Sequence, residues 1–204
     1  MGKLQVQTQQ GALSIECDDR LRSVAQIMLA EAEDFVRKGG QFRDGYTFLH
    51  GWSLYRVKGG PGDWHIEEPD FGSDPYANSR PDCTFTLSLL AQQFAVGERI
   101  GLKPSQMAEV SCFDMILHPN CLRDRRIRAE RTELRGQKFS GWELSSLDRV
   151  TSQADDMVTD VATLTKIRPA LLRVILLPVG YTVELDGNDI RTVTDPSKQV
   201  VYRG

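Results

Sequence analysis

The sequence predicts an α+β protein built on a mostly antiparallel sheet, with two main helices packed on it and a small C-terminal subdomain of helices and a hairpin. Two segments carry apolar residues at three- and four-residue steps, which is typical of amphipathic helices. Much of the remaining chain consists of short apolar runs bounded by glycine, proline and asparagine, as in strands joined by turns. With 204 residues, 40% of them hydrophobic and 26% charged, the chain has an ordinary globular composition.

The clearest amphipathic helix follows Asp18 and Asp19, whose carboxylates are suited to capping its first turn. It is expected to end at Gly39-Gly40, because glycine readily adopts the backbone conformation that closes a helix. Its apolar stripe consists of Leu21, Val24, Met28, Ala32 and Phe35. The ten residues at the N-terminus are rich in glutamine and predict either a frayed end or an edge strand.

A hairpin is predicted next, with extended segments at residues 46–57 and 64–68. The turn between them is assigned to Lys58–Asp63, where three glycines and a proline interrupt the regular pattern. Residues 84–100 predict the second helix. The alternation at residues 84–87 also permits a strand start, so that alternative stays open.

The middle of the chain predicts a buried strand over residues 110–117, followed by the most charged segment, residues 123–135. That segment holds six arginines against three acids, and its apolar residues alternate with charged ones. This pattern favours an exposed or edge strand with ion-paired side chains, since charge protects an edge from unwanted pairing. The next extended run is Ser140–Leu144.

A polar and acidic stretch at residues 151–160 predicts a domain boundary, which gives a main domain over residues 11–150 and a C-terminal subdomain over residues 151–204. The subdomain is expected to begin with a short helix that ends before Pro169, followed by a second one through Leu177. Asp186-Gly187-Asn188 is a strong signal for a turn between two strands.

Net charge and apolar content indicate the compartment and exclude some partners. A net charge of −3 and an isoelectric point near 5.7 disfavour general nucleic-acid binding. No stretch has the uninterrupted apolar length of a signal peptide or a membrane span, so we expect a cytoplasmic protein. Four scattered cysteines are expected to be reduced core thiols, with a Cys112–Cys121 pair as the alternative.

No familiar catalytic or metal-binding motif is present. The three histidines, His50, His65 and His118, lack the spacing of a zinc hydrolase, and no serine lies in a nucleophile elbow. The glycine-rich turn lacks the lysine and hydroxyl residue of a phosphate loop. We therefore expect no enzyme, metal or cofactor. The alternative is a small hydrolase or metal-dependent enzyme that uses His65 or His118 with nearby carboxylates.

The segment from Gly51 to Tyr76 has the greatest potential for binding, because large aromatic residues are interspersed with acids there. Aromatic anchors supply burial at an interface, and carboxylates attract a basic partner. The alternative is a core hairpin with inward tryptophans and a merely solvated acidic loop. The predicted partner-binding residues are Asp63, Trp64, His65, Glu67, Glu68, Asp70 and Asp74.

A series of short motifs resembles the Imm33-like (domain of unknown function 2185-like) immunity proteins of bacterial polymorphic-toxin or type VI secretion systems. The motifs, in order, are Asp44-Gly45, Gly51-Trp52-Ser53, Glu68-Pro69-Asp70-Phe71 with Pro75, Gln92-Gln93, Ser140-Gly141-Trp142, Leu164 with Arg168-Pro169, Leu176–Tyr181 and Gly187–Ile190. They span most of residues 40–194. Where the family often has a glycine and an acid after Ser-Gly-Trp, this chain has Glu143-Leu144-Ser145.

The resemblance implies a cytoplasmic, non-catalytic antidote that binds and neutralises a cognate toxin. If that toxin is a nuclease with a basic cleft, the acidic segment would imitate its phosphate substrate. The resemblance implies neither a cofactor nor contact with a membrane or nucleic acid, and it leaves homo-oligomerisation open. A structural component of a secretion or phage-like apparatus is a further alternative.

Overall fold

Two β-sheets organise the chain, and each belongs to one of two units. The computed structural model describes residues 1–133 and 136–204, apart from the side chain of Gln153. The first unit is Met1–Ala91 and the second is Gln92–Gly204, with six strands in one sheet and seven in the other. The mixed architecture of helices and strands is as predicted, but two sheets replace the single main sheet.

The first unit holds six strands, a long helix and the start of a second one. Its elements are β1 (Gly2–Thr8), β2 (Gly11–Cys17), α1 (Arg22–Arg37), β3 (Thr47–His50), β4 (Ser53–Gly60), β5 (Gly62–Pro69), β6 (Ser79–Arg80) and the first part of α2 (Thr84–Arg99). The strand order is β1-β2-β5-β4-β3, with β6 paired to β5. Every pair is antiparallel except β2 with β5, which is parallel.

Helix α1 covers the core face of β1 and β2, as its apolar stripe predicts. Asp18 caps the 3-10 turn Asp19–Leu21 that precedes it, by accepting a hydrogen bond from the Arg20 amide at 2.9 Å. The helical prediction for residues 84–100 is confirmed by α2, and the N-terminal residues form the edge strand β1.

The β4–β5 hairpin is tighter than predicted. The strands continue through Lys58–Gly60 and resume at Gly62, so only Pro61 lies between them. Gly11 pairs with Gly62 on the neighbouring strand, where a Cβ on Gly11 would lie 2.3 Å from the Gly62 Cα. Glycine is therefore required at this close approach. It allows β2 to run beside β5 from its first residue.

Residues 46–57 also form two strands instead of one. The chain turns at Gly51-Trp52, with Gly51 at φ +61°, and His50 then pairs with Ser53. A Cβ on Gly51 would meet Leu90 Cδ1 at 2.6 Å, so both the backbone conformation and the packing favour glycine here. The predicted extended character is retained, but the glycine acts as a turn residue.

The second unit contains seven strands, two short helices and the end of α2. Its elements are β7 (Met115–His118), β8 (Arg126–Arg131), β9 (Phe139–Ser146), β10 (Met157–Asp160), α3 (Leu164–Ile167), α4 (Pro169–Leu172), β11 (Thr182–Asp186), β12 (Asp189–Thr194) and β13 (Val200–Arg203). The strand order is β10-β7-β9-β8-β11-β12-β13, and among these described strands β7 with β9 is the one parallel pair.

Strand β8 lies inside this sheet, between β9 and β11, which corrects the prediction of an edge strand. Its alternation of exposed and buried residues is as predicted. Acids on neighbouring segments balance the arginines: Arg128 Nη2 lies 2.7 Å from Glu184 Oε1 of the opposite strand, and Arg126 Nε lies 2.8 Å from Asp148 Oδ1. Complementary cross-strand charges thus allow an arginine-rich strand to occupy an interior position. Arg135 lies outside the described residues.

The division into units differs from the predicted boundary near residue 151. Strand β10 pairs with β7, and β11 pairs with β8, so residues 151–204 complete the second sheet instead of forming a separate subdomain. The dividing point falls within α2, between Ala91 and Gln92. A polar stretch marked the boundary in the sequence, but long-range strand pairing decides which segments fold together.

The four cysteines are buried and form no disulfide bond among the described residues, as predicted for core thiols. The predicted buried strand over residues 110–117 is reduced to β7, because residues 111–114 form a turn in which Asp114 Oδ2 accepts a hydrogen bond from the Ser111 amide at 2.8 Å.

In the described part of the chain, no helix has both the length and the apolar character needed to cross a membrane.

Arg168 connects three segments of the second unit. It lies between α3 and α4 and is only 6% exposed. Its Nη1 donates to the Gly187 carbonyl at 2.8 Å, and its Nη2 donates to the carbonyls of Asp124 and Arg125. The side chain therefore fixes the β11–β12 turn to the residues that precede β8.

Replacing Arg168 with methionine should lower the free energy of unfolding by about 3 kcal/mol, because three carbonyls lose a charged donor. Urea unfolding followed by circular dichroism measures this change. Arg128→Met is the matched control, since it removes an exposed ion pair and should change stability by no more than about 0.5 kcal/mol. Equal losses in the two variants would contradict the role assigned to Arg168.

Candidate functional site

The predicted binding residues of β5 point to opposite faces of the first sheet, because side chains alternate along a strand. Trp64, Ile66 and Glu68 point into the core and are 4%, 1% and 0% exposed, respectively. Asp63, His65 and Glu67 point to the other face, called here the open face. The structure therefore separates residues that the sequence analysis grouped together.

The side chain of Trp64 packs in the core and has a structural role. Its indole Nε1 donates to the Gln10 carbonyl at 3.2 Å, and its ring contacts Phe42 edge-on at a centroid separation of 6.3 Å. Since the ring is buried in the core cluster, it offers no surface to a partner. The interpretation of Trp64 as an interface anchor is corrected accordingly.

Glu68 is also internal, and its carboxylate connects three elements of the first unit. Oε1 accepts a hydrogen bond from Arg80 Nε of β6 at 2.7 Å, and Arg80 Nη2 donates to the same oxygen. Oε2 accepts from the Thr86 amide at 2.8 Å and from the Thr86 hydroxyl at 2.7 Å. Thr86 lies in the first turn of α2, so Glu68 of β5 caps that helix from outside.

Burial raises the pKa of Glu68, while the hydrogen bonds from Thr86 and Arg80 oppose that rise. A fully buried carboxylate is tolerated because these donors replace the water that it loses on folding. Glu68 therefore contributes to stability and is removed from the set of surface acids.

Asp70 and Asp74 lie in the loop between β5 and β6, where each carboxylate caps a turn. Asp70 accepts from the Gly72 amide at 3.0 Å and the Ser73 hydroxyl at 2.6 Å, and Asp74 accepts from the Tyr76 amide at 2.9 Å. The Ser73 hydrogen bond is the main reason that the pKa of Asp70 is lowered. Asp70 therefore carries a negative charge at neutral pH.

Aromatic packing fixes this loop to the first unit. The Phe71 ring is 8% exposed and stacks on Trp52 at a centroid separation of 5.3 Å. Phe85 of α2 contacts both rings from the side. Asp70 and Asp74 are thus carried by an ordered loop, in which their positions are determined by the fold.

The open face has a small cavity of about 220 Å³ between β1, β2 and β5. It is lined by Lys3, Ser14, Glu16, Asp63, His65, Ile66 and Pro81. Lys3 and Glu16 were not among the predicted site residues, since their proximity to β5 depends on the parallel β2–β5 pair, for which local sequence carries no signal. In the sequence, only the alternation of side chains along β2 could have predicted that Glu16 lies on the exposed side of the sheet.

Basic residues on neighbouring strands partly balance the acids of the open face. Arg56 is directly opposite Glu67, and Lys58 is opposite His65. Lys3 is opposite Glu16 on β1. The open face therefore has alternating charges, and it differs from the uniformly negative rim that the sequence suggested.

The histidines give the hydrolase alternative little geometric support. His65 Nε2 lies 3.3 Å from Glu67 Oε1, but the Ser79 hydroxyl donates to Glu67 as well, so the serine contacts the carboxylate instead of the imidazole. A serine nucleophile needs its hydroxyl beside the general base. No group of three potential metal ligands occurs among residues 1–133 and 136–204.

His118 and His50 are both buried, at 4% and 7% exposure. Burial lowers the pKa of His118, and its Nδ1 has no hydrogen-bond partner among the described residues. His50 Nδ1 lies 2.7 Å from Glu31 Oε2, and His50 is the cross-strand neighbour of Ser53. Ser53 is 0% exposed, so a substrate has no access to its hydroxyl.

Comparison with known proteins adds no relatives. No family model matches the chain, and neither does any curated protein or solved structure. The proposed function therefore draws on the geometry of this chain and on the motifs in its own sequence.

Residues of the short motifs that carry the family resemblance have structural roles. Trp52 Nε1 donates to the Thr86 carbonyl at 3.3 Å, and Trp142 Nε1 donates to the Ile175 carbonyl at 2.8 Å. Gln93 Nε2 donates to the Leu172 carbonyl at 2.8 Å. Each of these side chains satisfies a backbone carbonyl inside its own unit. The motifs thus mark positions on which the fold depends.

Replacing Glu68 with glutamine should lower the free energy of unfolding by about 3 kcal/mol, because Arg80 loses its ion pair and the α2 cap is weakened. Urea unfolding measures the loss. Asp63→Asn is the control on the same strand, and because Asp63 is exposed it should change stability by no more than about 0.5 kcal/mol. A Glu68→Gln variant as stable as the parent chain would disprove the structural role.

Proposed function

We propose that this protein is a non-catalytic binding protein whose partner is a basic protein. The proposed contact surface, called here the carboxylate surface, consists of Glu16 and Asp63 on the open face and Asp70 and Asp74 in the β5–β6 loop. His65 and Glu67 lie between them along β5. Trp64 and Glu68 are excluded because both are buried.

One observation carries this proposal: the four carboxylates of this surface form no ion pair with any described residue. Asp63 and Asp74 are exposed, and Glu16 and Asp70 are partly exposed. By contrast, acids of the second sheet, such as Glu184 and Asp186, are paired with arginines. Carboxylates that form no ion pair within their own chain can attract a basic partner and accelerate the encounter.

The alternating charges of the open face favour a specific partner over nonspecific attraction of any cation. Lys3, Arg56 and Lys58 interrupt the acids, so a partner must present its own charges in a matching order. Like charges brought together at a mismatched interface are costly, and this cost excludes wrong partners.

The resemblance to immunity proteins supports a toxin as the partner. In this proposal the protein acts in the cytoplasm, where it binds the cognate toxin and blocks its activity without any reaction of its own. A nuclease with a basic cleft is the toxin class that the charge of the surface fits best, because carboxylates can occupy the positions of substrate phosphates.

The proposal predicts that neutralising or reversing the four acids weakens binding and leaves the fold intact. The test variant combines Glu16→Lys, Asp63→Lys, Asp70→Asn and Asp74→Asn, since asparagine preserves the turn caps of the loop. With the product of the adjacent gene as the partner, the association rate at low salt should fall by about tenfold or more. Protection of growth during expression of that partner should fall as well.

A matched control carries the same change in charge at other positions. Glu33→Lys, Glu98→Lys and Glu130→Lys also raise the net charge by six through changes at exposed residues, and this variant should bind at nearly the parent rate. Equal association rates for the two variants would contradict the carboxylate surface. Failure of the parent chain to bind the adjacent gene product would contradict the choice of partner.

A further inference from the structure

The cavity of about 220 Å³ on the open face of the first sheet lies where β2 and β5 run parallel. Ser14 of β2 is directly opposite His65 of β5. Because the serine side chain is small, a hollow remains above it between larger neighbours. An isolated bridge between Glu16 and Asp82 brings Pro81 beside β2, where it forms one wall.

Solvent reaches this cavity from the open face. Lys3, Asp63 and Pro81 of its lining are exposed, and the His65 side chain is 42% exposed. Ser14 is only 2% exposed, as expected for a residue at the floor. Pockets that hold drug-sized molecules have volumes of about 300–1,000 Å³, so this smaller cavity has room for a ligand the size of one amino-acid side chain.

The floor of the cavity provides a hydrogen-bond acceptor. The Ser14 hydroxyl donates its single proton to the Trp64 carbonyl, and the two oxygens lie 3.2 Å apart. The Ser14 oxygen keeps lone pairs but has no further hydrogen to donate. A ligand that contacts Ser14 Oγ must therefore bring a donor of its own.

His65 adds a second neutral acceptor to the lining. Its Nε2 lies 3.3 Å from Glu67 Oε1, and an ionised carboxylate only accepts hydrogen bonds, so this contact holds the imidazole proton on Nε2. In the neutral ring Nδ1 is then an acceptor. The imidazole thus favours the same kind of ligand as Ser14, one that donates hydrogen bonds.

Negative charge exceeds positive charge among the residues that line the cavity. Glu16 and Asp63 supply two carboxylates, and the lysine of the lining is Lys3. Lys3 is exposed on the edge strand β1, opposite Glu16, and it forms no ion pair with either acid among the described residues. Two anionic groups beside neutral acceptors select a cationic donor.

We propose that this cavity binds a single lysine or arginine side chain of the partner protein. The ammonium or guanidinium group donates to the acceptors of the lining, and the apolar stem of the side chain packs against Pro81. This inference rests on the proposed function, because Glu16 and Asp63 belong to the carboxylate surface. It adds that the partner presents an exposed basic side chain, which inserts between β2 and β5.

Small probes test the cavity without the partner. Nα-acetyl-lysine amide and Nα-acetyl-arginine amide should shift the backbone amide signals of Ser14 and His65 in nuclear magnetic resonance titrations, with a roughly millimolar Kd. The Arg128 amide of the second unit should stay in place. Nα-acetyl-norleucine amide has a similar apolar stem without the charge, and it should cause no shift at the same concentration.

Two double variants test whether the acids of the cavity are responsible. Glu16→Gln with Asp63→Asn removes two charges and keeps the side-chain sizes, so the Kd for both cationic probes should rise by about tenfold or more. Glu33→Gln with Glu98→Gln removes the same charge from exposed residues of α1 and α2 outside the cavity, and it should bind the probes like the parent chain. Circular dichroism verifies that each variant is folded.

The kinetics of partner binding distinguish an inserted side chain from long-range attraction. Removal of one member of a buried charge pair mainly raises the dissociation rate, whereas loss of a peripheral charge mainly lowers the association rate. With the product of the adjacent gene as the partner, Glu16→Gln with Asp63→Asn should raise the dissociation rate by about tenfold. A normal dissociation rate in this variant would contradict insertion.

The cavity site and the proposed function fail in different experiments. A parent chain that binds the cationic probes but not the adjacent gene product would support the cavity site and contradict the choice of partner. A shift with one of the two cationic probes would assign the cavity to that side chain. Equal shifts with the cationic and neutral probes, or equal probe affinities of the two double variants, would overturn the cavity site even if the partner binds.

Discussion

The buried carboxylate of Glu68 is the contact on which the first unit depends most. It joins β5 to β6 through Arg80 and to α2 through Thr86. The position of α2 in turn places Phe85 against Trp52 and Phe71, and this aromatic cluster fixes the loop that carries Asp70 and Asp74. Glu68, which the sequence suggested as a surface residue, is thus a buried residue that helps to position the loop with Asp70 and Asp74.

Buried polar side chains also connect segments of the second unit, where neutral and positively charged groups donate hydrogen bonds to backbone carbonyls. Trp142, Gln93 and Arg168 each donate a hydrogen bond to a backbone carbonyl of that unit. An unmet buried carbonyl is destabilising, so side chains at these positions are constrained by the fold. Several motif residues are thus constrained by the architecture, while the functional proposal depends on acids outside the core, of which Asp70 belongs to one motif.

Local patterns in the sequence were sufficient to predict α1, α2, the alternation of β8 and the turn at Gly187. They could not predict the parallel β2–β5 pair, the interior position of β8 or the assignment of residues 151–204 to the second sheet, because these depend on partners distant in the chain. At the candidate site, the sequence did contain a pattern that could have predicted which acid is buried. Glu68 shares strand parity with Trp64 and Ile66, whereas Glu67 shares it with His65, and this alternation distinguishes the buried acid from its neighbour.

Hydrogen exchange at the Thr86 amide tests the role of Glu68 most directly. Amides in the first turn of a helix have no partner within the helix and usually exchange quickly. Because the Thr86 amide donates to a fully buried carboxylate, it should exchange as slowly as the most protected amides of β4 and β5. Exchange at the rate of an exposed first-turn amide would show that Glu68 does not hold α2, and the structural account of the first unit would then be wrong.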